Sequence, residues 1–301
     1  MFLGSPSDAG ATQEIVSFVR NKLPYKEGIH TDYNNWRESG HNAWGLQYVD
    51  KIIQTDPIRK GPKASTFTSR PWTFDGLKFN LPDIPSLELS SFLSQTETDG
   101  LLVLKDGIVV YEYYDQTNTQ TSIHATFSTL KSVIGLLCGI LVEQGTLDRE
   151  VLVSTYVPEI EGSAYINVTV RQLLDMCLGV NHDDASLEYC SATGFYPVKL
   201  GKQSIDLHTY IPTIRSPPPV PIDGLDGPHY EYISANADLA GWVVERASGK
   251  RIAEVLSESI WQPMGAESDA YVTIDSNGNA RAAAGNCATV RDMARLSQII
   301  V

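Results

Sequence analysis

Cationic side chains are scarce in this chain: 301 residues carry 23 Lys and Arg against 36 Asp and Glu, a formal net charge of −13. With no compensating basic run, neither nucleic acid nor an anionic membrane surface is expected as a partner. Cysteine is scarce too. Cys138, Cys177, Cys190 and Cys287 are scattered without a C-x-x-C pair, which argues against structural zinc and against a disulfide scaffold. Reduced thiols are expected, Cys138 and Cys177 in apolar helical stretches and Cys190 in a loop. No run approaches the ~18 apolar residues of a membrane span. Met1-Phe2-Leu3-Gly4-Ser5-Pro6 lacks the positive start and long apolar core of a signal peptide. There is no internal repeat. These absences point to a cytoplasmic globular protein, for which 42% hydrophobic and 20% charged residues are ordinary.

A G-x-S-x-G elbow is also missing, so a Ser-His-Asp arrangement with His124, His208 or His229 has no local support. What is present is Thr126-Phe127-Ser128-Thr129-Leu130-Lys131-Ser132, followed by the apolar run Val133 to Val142. Ser128 falls at the first turn of a helix, with Lys131 three residues on and on the same face. An N-cap serine and a surface lysine would produce the same letters. The setting favours chemistry: eleven uncharged residues follow Lys131, and a helix apolar nearly all round is normally buried. A lysine against desolvated surroundings has its charged form disfavoured, and a neutral amine can take a proton from a hydroxyl.

In chain order, residues 12–23 have weak helical periodicity. Trp36, Trp44 and Trp72 then punctuate an irregular segment to about residue 85, expected to wrap over the core and bury its aromatics. Leu87 to Leu93 reads as a short helix. Leu101 to Leu104 and Ile108 to Tyr114 flank Asp106-Gly107, the clearest hairpin in the chain. Helices are expected at Val168–Cys177, from Ser234 to Gly249, at Ile252–Trp261 and from Thr289. Residues 180–228, with Pro217-Pro218-Pro219-Val220-Pro221, read mostly as loop, the usual material of binding walls. The last residues, Leu296 to Val301, read as mid-helix. With one hairpin in view, and a two-stranded sheet not independently stable, the sequence reads as most of a domain rather than all of it.

A second constellation is His229-Tyr230-Glu231-Tyr232-Ile233-Ser234-Ala235-Asn236, a loop delivering a tyrosine to a helix start. By itself it also fits a packed ring and a capping serine. Taken with Phe127 to Ser132, Gly135, Leu141 to Asp148, Tyr156 to Glu159, Val170 to Met176, Gly179, Gly241-Trp242, Gly249, Ile260 to Gly265 and Arg291 to Arg295, it resembles the serine β-lactamase and penicillin-binding-protein-like superfamily. The similar branch holds class C β-lactamases, family VIII esterases and 6-aminohexanoate-dimer hydrolases, and Asn42-Ala43-Trp44 is similar to the last of these. The resemblance spans roughly residues 95–301. It implies Ser128 as acylated nucleophile, Lys131 as its proton partner and Tyr232 as second acid and base. Ser234, in a Tyr-x-Ser form, would contact substrate or the lysine, and Asp183 would face the substrate. Two departures stand out. The family's Lys/His-x-Gly motif has no match before the chain ends. The tyrosine that aids amide cleavage after the Gly179 position is also missing, the next being Tyr189, so ester hydrolysis is the better supported reaction.

The expectation is therefore an α/β (α+β) fold of the β-lactamase/transpeptidase kind: an antiparallel sheet flanked by helices, with a helical insertion at about 150–285. A wrapping segment at 1–85 precedes a catalytic part at 86–301 that lacks C-terminal strands. A serine hydrolase of a small-molecule ester or amide is expected, working without cofactor. Acyl transfer by the same site, or a non-catalytic binding role, are the alternatives. His182-Asp183-Asp184, three adjacent ligands with no distant partner, does not make a metal site.

Overall fold

The computed structural model describes residues 31–74, 76–81, 84–115, 117–196, 205–215 and 230–300. The expected helix at 12–23, the proline run at 217–221 and His229 lie outside the described residues. In chain order the elements are α1 (Asn42–Gly45), β1 (Thr55–Ile58), β2 (Thr68–Ser69), β3 (Lys78–Leu81), β4 (Ile84–Glu88) and α2 (Leu89–Gln95). Then come β5 (Gly100–Lys105), β6 (Ile108–Tyr114), β7 (Ile123–Ala125) and α3 (Thr129–Glu143). The helices α4 (Val170–Asp175), α5 (Leu187–Ala192), α6 (Leu207–Tyr210), α7 (Ser234–Ser248) and α8 (Ile252–Leu256) follow, and β8 (Ala270–Thr273), β9 (Asn286–Thr289) and α9 (Val290–Ile300) close the described chain.

The β5–β6 hairpin forms where Asp106-Gly107 predicts it. Both turn residues have positive φ, 52° and 74°, as a two-residue turn matched to strand twist requires. The sheet content exceeds this hairpin, which corrects the expectation of a single one. A four-stranded antiparallel sheet runs in the order β1-β8-β9-β7, and β2 joins the hairpin in parallel to β6. Every residue of β8 and β9 is buried, so these strands show no in-out alternation to read. β8 falls inside the range expected to be a helical insertion. β1, inside the expected wrapping segment, pairs Thr55 with Thr273 and Ile58 with Ala270. Trp36 in that segment is buried, but Trp72 stands half exposed, so its aromatics are not all covered. Two smaller differences have local causes. The helix expected from Leu87 starts at Leu89, because Ile84–Glu88 pairs with β3. Cys190 lies in α5 rather than a loop, because Ser186 caps that helix by accepting the Tyr189 N–H.

The main core gathers Leu130, Ile134 and Leu137 of α3 with Leu239 and Val243 of α7, and with Trp261 beyond α8. A smaller cluster of Trp36, Ile52, Ala125, Phe195, Tyr271 and Cys287 backs β7 and β9. The site lies between these two clusters, at the point where β7 hands the chain to α3. No helix among the described residues is long and apolar enough to cross a membrane.

Candidate active site

β7 pairs with β9, placing Ala125 opposite Cys287. One residue on, the Thr126 N–H donates to the Asn286 carbonyl at 2.9 Å, and the Asn286 side-chain amide returns a bond to Thr126 Oγ1 at 3.1 Å. The chain then turns sharply. Phe127 has φ of 46°, a costly conformation for a bulky residue that persists only where surroundings enforce it. The Phe127 ring stacks on Trp36 at a centroid distance of 6.3 Å and a tilt of 20°. Trp36 is in turn pressed against Gly45, where a Cβ would meet the Trp36 carbonyl oxygen at 2.1 Å. The result is a serine raised on a tight turn at the mouth of α3.

Ser128 occupies the N-cap position of α3, yet its side chain makes no capping bond. Thr129 Oγ1 instead ties back to the Thr126 carbonyl at 2.8 Å. That disposes of the capping explanation for Ser128. The side-chain contact Ser128 does make is with Lys131, whose Nζ lies 3.3 Å from Oγ. Lys131 also donates to the Ala283 carbonyl at 3.0 Å and sits 4.6 Å above the Tyr232 ring centroid. Serine, lysine and tyrosine are thus brought together from two helix starts, with Ser128 and Tyr232 open to solvent. None of the hydrogen bonds among the described residues uses the Ser128 N–H, which lies at the positive end of the helix dipole.

Tyr232 is held by its flanks. The Glu231 N–H donates to the Met176 carbonyl at 2.9 Å, at the left-handed end of α4. Ser234 is buried, and its N–H donates to the Asp184 carboxylate at 2.9 Å. Asp184 therefore caps α7 from a distance, the role a local side chain would otherwise fill. Burial alone would raise this carboxyl. Hydrogen bonds from His182 and Ser234 outweigh burial and hold it below the usual aspartate range. The described bonds of Ser234 thus run to Asp184, not to Lys131. Asp183 is exposed and accepts the Ala185 N–H at 2.9 Å, within its own loop.

The histidines are committed elsewhere. His182 contacts Asp184 at 3.0 Å and the Tyr210 hydroxyl at 3.2 Å. His124 bridges Asp99 at 2.7 Å and the Ala125 carbonyl at 2.9 Å. His208 stacks on Trp242 at 3.8 Å, and its burial depresses the imidazole to about 4. Neither described histidine of the conceivable triads touches Ser128.

One group beside the site has no counterpart among the sequence expectations. Asp238, on the second turn of α7, is fully buried with Arg281 and Tyr189. It pairs with the Arg281 guanidinium, accepts the Tyr189 hydroxyl at 2.7 Å and accepts the Ala283 N–H at 2.8 Å. A sequence signal did exist. An acid set among Ala235, Leu239, Ala240 and Trp242 on a helix is buried only where a cation or several hydrogen-bond donors meet its charge. Arg281, in Asn279-Ala280-Arg281-Ala282-Ala283-Ala284-Gly285, offers no comparable signal.

The fold is of the β-lactamase/transpeptidase kind and the chain is a serine hydrolase by its relatives, with a serine and lysine on one helical turn and a tyrosine just before a second helix gathered at one point. The chain belongs to the beta-lactamase family, whose profile matches residues 92–300. It is 30% identical to the 6-aminohexanoate-dimer hydrolase of Paenarthrobacter ureafaciens over 274 residues, which is 89% of this chain and 67% of that protein. A solved structure from Bacillus anthracis, itself provisionally described as a 6-aminohexanoate-dimer hydrolase, shares the fold with a TM-score of 0.81 at 23% identity. It covers 92% of this chain and 73% of that one. An octameric penicillin-binding protein homologue from Pyrococcus abyssi has a TM-score of 0.54 at 19% identity, covering 70% of this chain and 55% of that one.

Proposed function

We propose that this hydrolase cleaves a small-molecule ester through an acyl-enzyme on Ser128, with Lys131 and Tyr232 moving the protons. The observation that carries the reading is the position of Lys131 Nζ, 3.3 Å from Ser128 Oγ, with the face of the Tyr232 ring 4.6 Å from the same ammonium. In its neutral form the Lys131 amine takes the Ser128 proton as Oγ bonds to the ester carbonyl. The carbonyl oxygen becomes an anion, and the Ser128 N–H is placed to donate to it. Collapse breaks the bond to the leaving alkoxide, which takes a proton from the Lys131–Tyr232 unit. Water then attacks the acyl-serine, passing its proton back through the same groups.

Esters are favoured over amides by the placement of Tyr189. This first tyrosine after Gly179 is wholly buried and bonded to Asp238, so it cannot protonate a leaving amine. Turnover of a short-chain p-nitrophenyl ester, assayed beside the linear dimer of 6-aminohexanoate, tests the preference. Ser128→Ala is expected to lower ester turnover by at least about 10³-fold, the scale set by loss of a nucleophile. Fluorophosphonate labelling, mapped by mass spectrometry, should fall on Ser128. Labelling that persists in Ser128→Ala would refute the assignment.

A further inference from the structure

Ala283 connects the buried ion pair to the site, and it does so through its backbone. Its N–H is held by Asp238 Oδ1 at 2.8 Å, and its carbonyl accepts the Lys131 ammonium at 3.0 Å. The loop that carries it is tight. The Gly285 N–H returns to the Arg281 carbonyl at 2.7 Å, and a Cβ on Gly285 would lie 2.6 Å from Thr273 Oγ1. At its start the loop is anchored to β8 by the Arg281 N–H, which donates to the Thr273 carbonyl at 2.9 Å. The Arg281 side chain then folds under the loop to reach Asp238 and the Tyr189 hydroxyl, the latter at 2.5 Å. Ala283 is thus fixed from β8 and from α7, and its carbonyl has one direction to point.

We propose that Asp238 is a positioning residue for the serine–lysine pair: by clamping Ala283, it directs the carbonyl that holds Lys131 beside Ser128. This rests on the reading of Lys131 as proton carrier. A long lysine side chain has several rotamers, and a proton transfer over a misplaced ångström costs about 10²-fold in rate. A carbonyl anchored to a buried carboxylate removes that freedom at little further entropic cost. Burial raises the Asp238 carboxyl, and Arg281, Tyr189, the Ala283 N–H and, least of these, Lys131 oppose that rise. The charged and titratable groups facing Asp238 are Arg281, Tyr189, Tyr165 and Lys131, with Asp184 behind Tyr189 and Arg281. Those facing Lys131 are Asp238 and Tyr232.

Asp238→Asn keeps an oxygen for the Ala283 N–H but removes the charge, and Tyr189→Phe removes one hydroxyl and no charge. Both are assayed by pH profiles of kcat and kcat/KM on the p-nitrophenyl ester, with circular dichroism as the fold control. For Asp238→Asn the expectation is a kcat loss of about 10-fold or more with KM within about threefold, because the loop that positions Lys131 is loosened while no contact to substrate is removed. Because the variant removes an anion from the neighbourhood of the Ser128–Lys131 pair, the acid limb of the profile should move to lower pH. Tyr189→Phe should lose about 2–5-fold in kcat without moving the limb, the scale of one hydrogen bond. A folded Asp238→Asn with the parent kcat and acid limb overturns the proposal. If that variant does not fold, a folded Tyr189→Phe with unchanged kcat overturns it. Fluorophosphonate labelling of the parent chain separates the two levels of inference. Ser128 labelled at the same rate in parent and variants refutes the clamp alone, whereas no labelling of Ser128 in the parent refutes the functional reading beneath it.

Discussion

The helices α3 and α7 are each fifteen residues long, and each begins beside one half of the site. They are buried in opposite ways to their composition. α3 carries no charge between Lys131 and Glu143, yet Ser132, Gly135 and Gly139 lie on an exposed stripe at helical spacing. α7 contains Asn236 and Asp238, yet every residue from Ser234 to Val244 is buried. Hydropathy would have ranked them the other way. What decides is partners rather than polarity. Most polar atoms of α7 named above meet a bond: Asp184 takes the Ser234 N–H, Tyr165 donates to Asn236 Oδ1 at 2.9 Å, and Arg281 neutralises Asp238, while Asn236 Nδ2 is left without a partner among the described residues. The open stripe of α3 is built from residues too small to demand cover.

The largest effect expected from this contrast is at Arg281. Arg281→Met keeps the length of the side chain but leaves the Asp238 carboxylate buried without its cation. Breaking one side of such a pair costs about 3–5 kcal/mol, measurable as a drop in the denaturant midpoint. Arg171, which pairs with Glu150 at 3.0 Å on the surface, is the control. Arg171→Met should change stability by less than about 1 kcal/mol. Similar losses for the two variants would show that the buried pair on α7 is not special.

Next in size is the close approach of α7 to the clamp loop. A Cβ on Gly241 would lie 2.4 Å from the Ala282 Cβ and 3.1 Å from Ile252 Cδ1. Gly241→Ala must push the loop that carries Ala283, or push α7 itself, at about 1–3 kcal/mol for overpacking. Ester turnover should fall with stability, because the displaced loop holds Lys131. An active, fully stable Gly241→Ala would mean that the loop has slack.

The α3 side has a polar pair of its own, and it is only half covered. Burial lowers the His124 imidazole, but the bond and charge of Asp99 and the Ala125 carbonyl outweigh it, so the group sits above its usual 6.5. A raised folded-state value means that the imidazolium stabilises fully below about 6.5 and that this contribution disappears as pH rises through the folded value. Stability of the parent should therefore decline on the alkaline side of 6.5, and His124→Gln should flatten that decline. An unchanged slope would place the titration elsewhere.

How much of this was legible in the sequence differs between the same regions. Ser128, Lys131 and Tyr232 could be singled out because short local patterns mark them and the family resemblance joins them, and the structure brings the three side chains together; the Asp106-Gly107 turn is legible from its two residues alone. The four-stranded sheet could not, since β1, β7, β8 and β9 span only three or four residues each and β1 and β7 pair with strands more than 150 residues away. Wholly buried strands of mixed composition, such as Asn286-Cys287-Ala288-Thr289, show no period-two alternation. The Asp238–Arg281 clamp was half legible. The acid on an apolar helix demands a partner, but which cation supplies it is settled only by the loop that returns Arg281 from β8. Asp183 illustrates the converse. Adjacent to the residue that does cap α7, it turns into its own loop, and a one-residue difference in a loop has no sequence signature.

The smallest effect concerns the stripe itself. Gly139 sits in mid-helix, and a Cβ there would meet nothing within 4 Å. Glycine inside a helix costs about 0.5–1 kcal/mol relative to alanine, through backbone entropy lost on folding. With no contact to violate, Gly139→Ala should recover that amount and raise the melting temperature by about 1–3 °C. The same substitution at Gly241 of α7 has the opposite sign, so the pair of alanine variants reads out the two environments with one chemical change. A gain at Gly139 together with a loss at Gly241 supports an open α3 and an enclosed α7. A loss at Gly139 would mean that something packs on the α3 stripe in solution, and that its glycines are there for close approach, as Gly241 is.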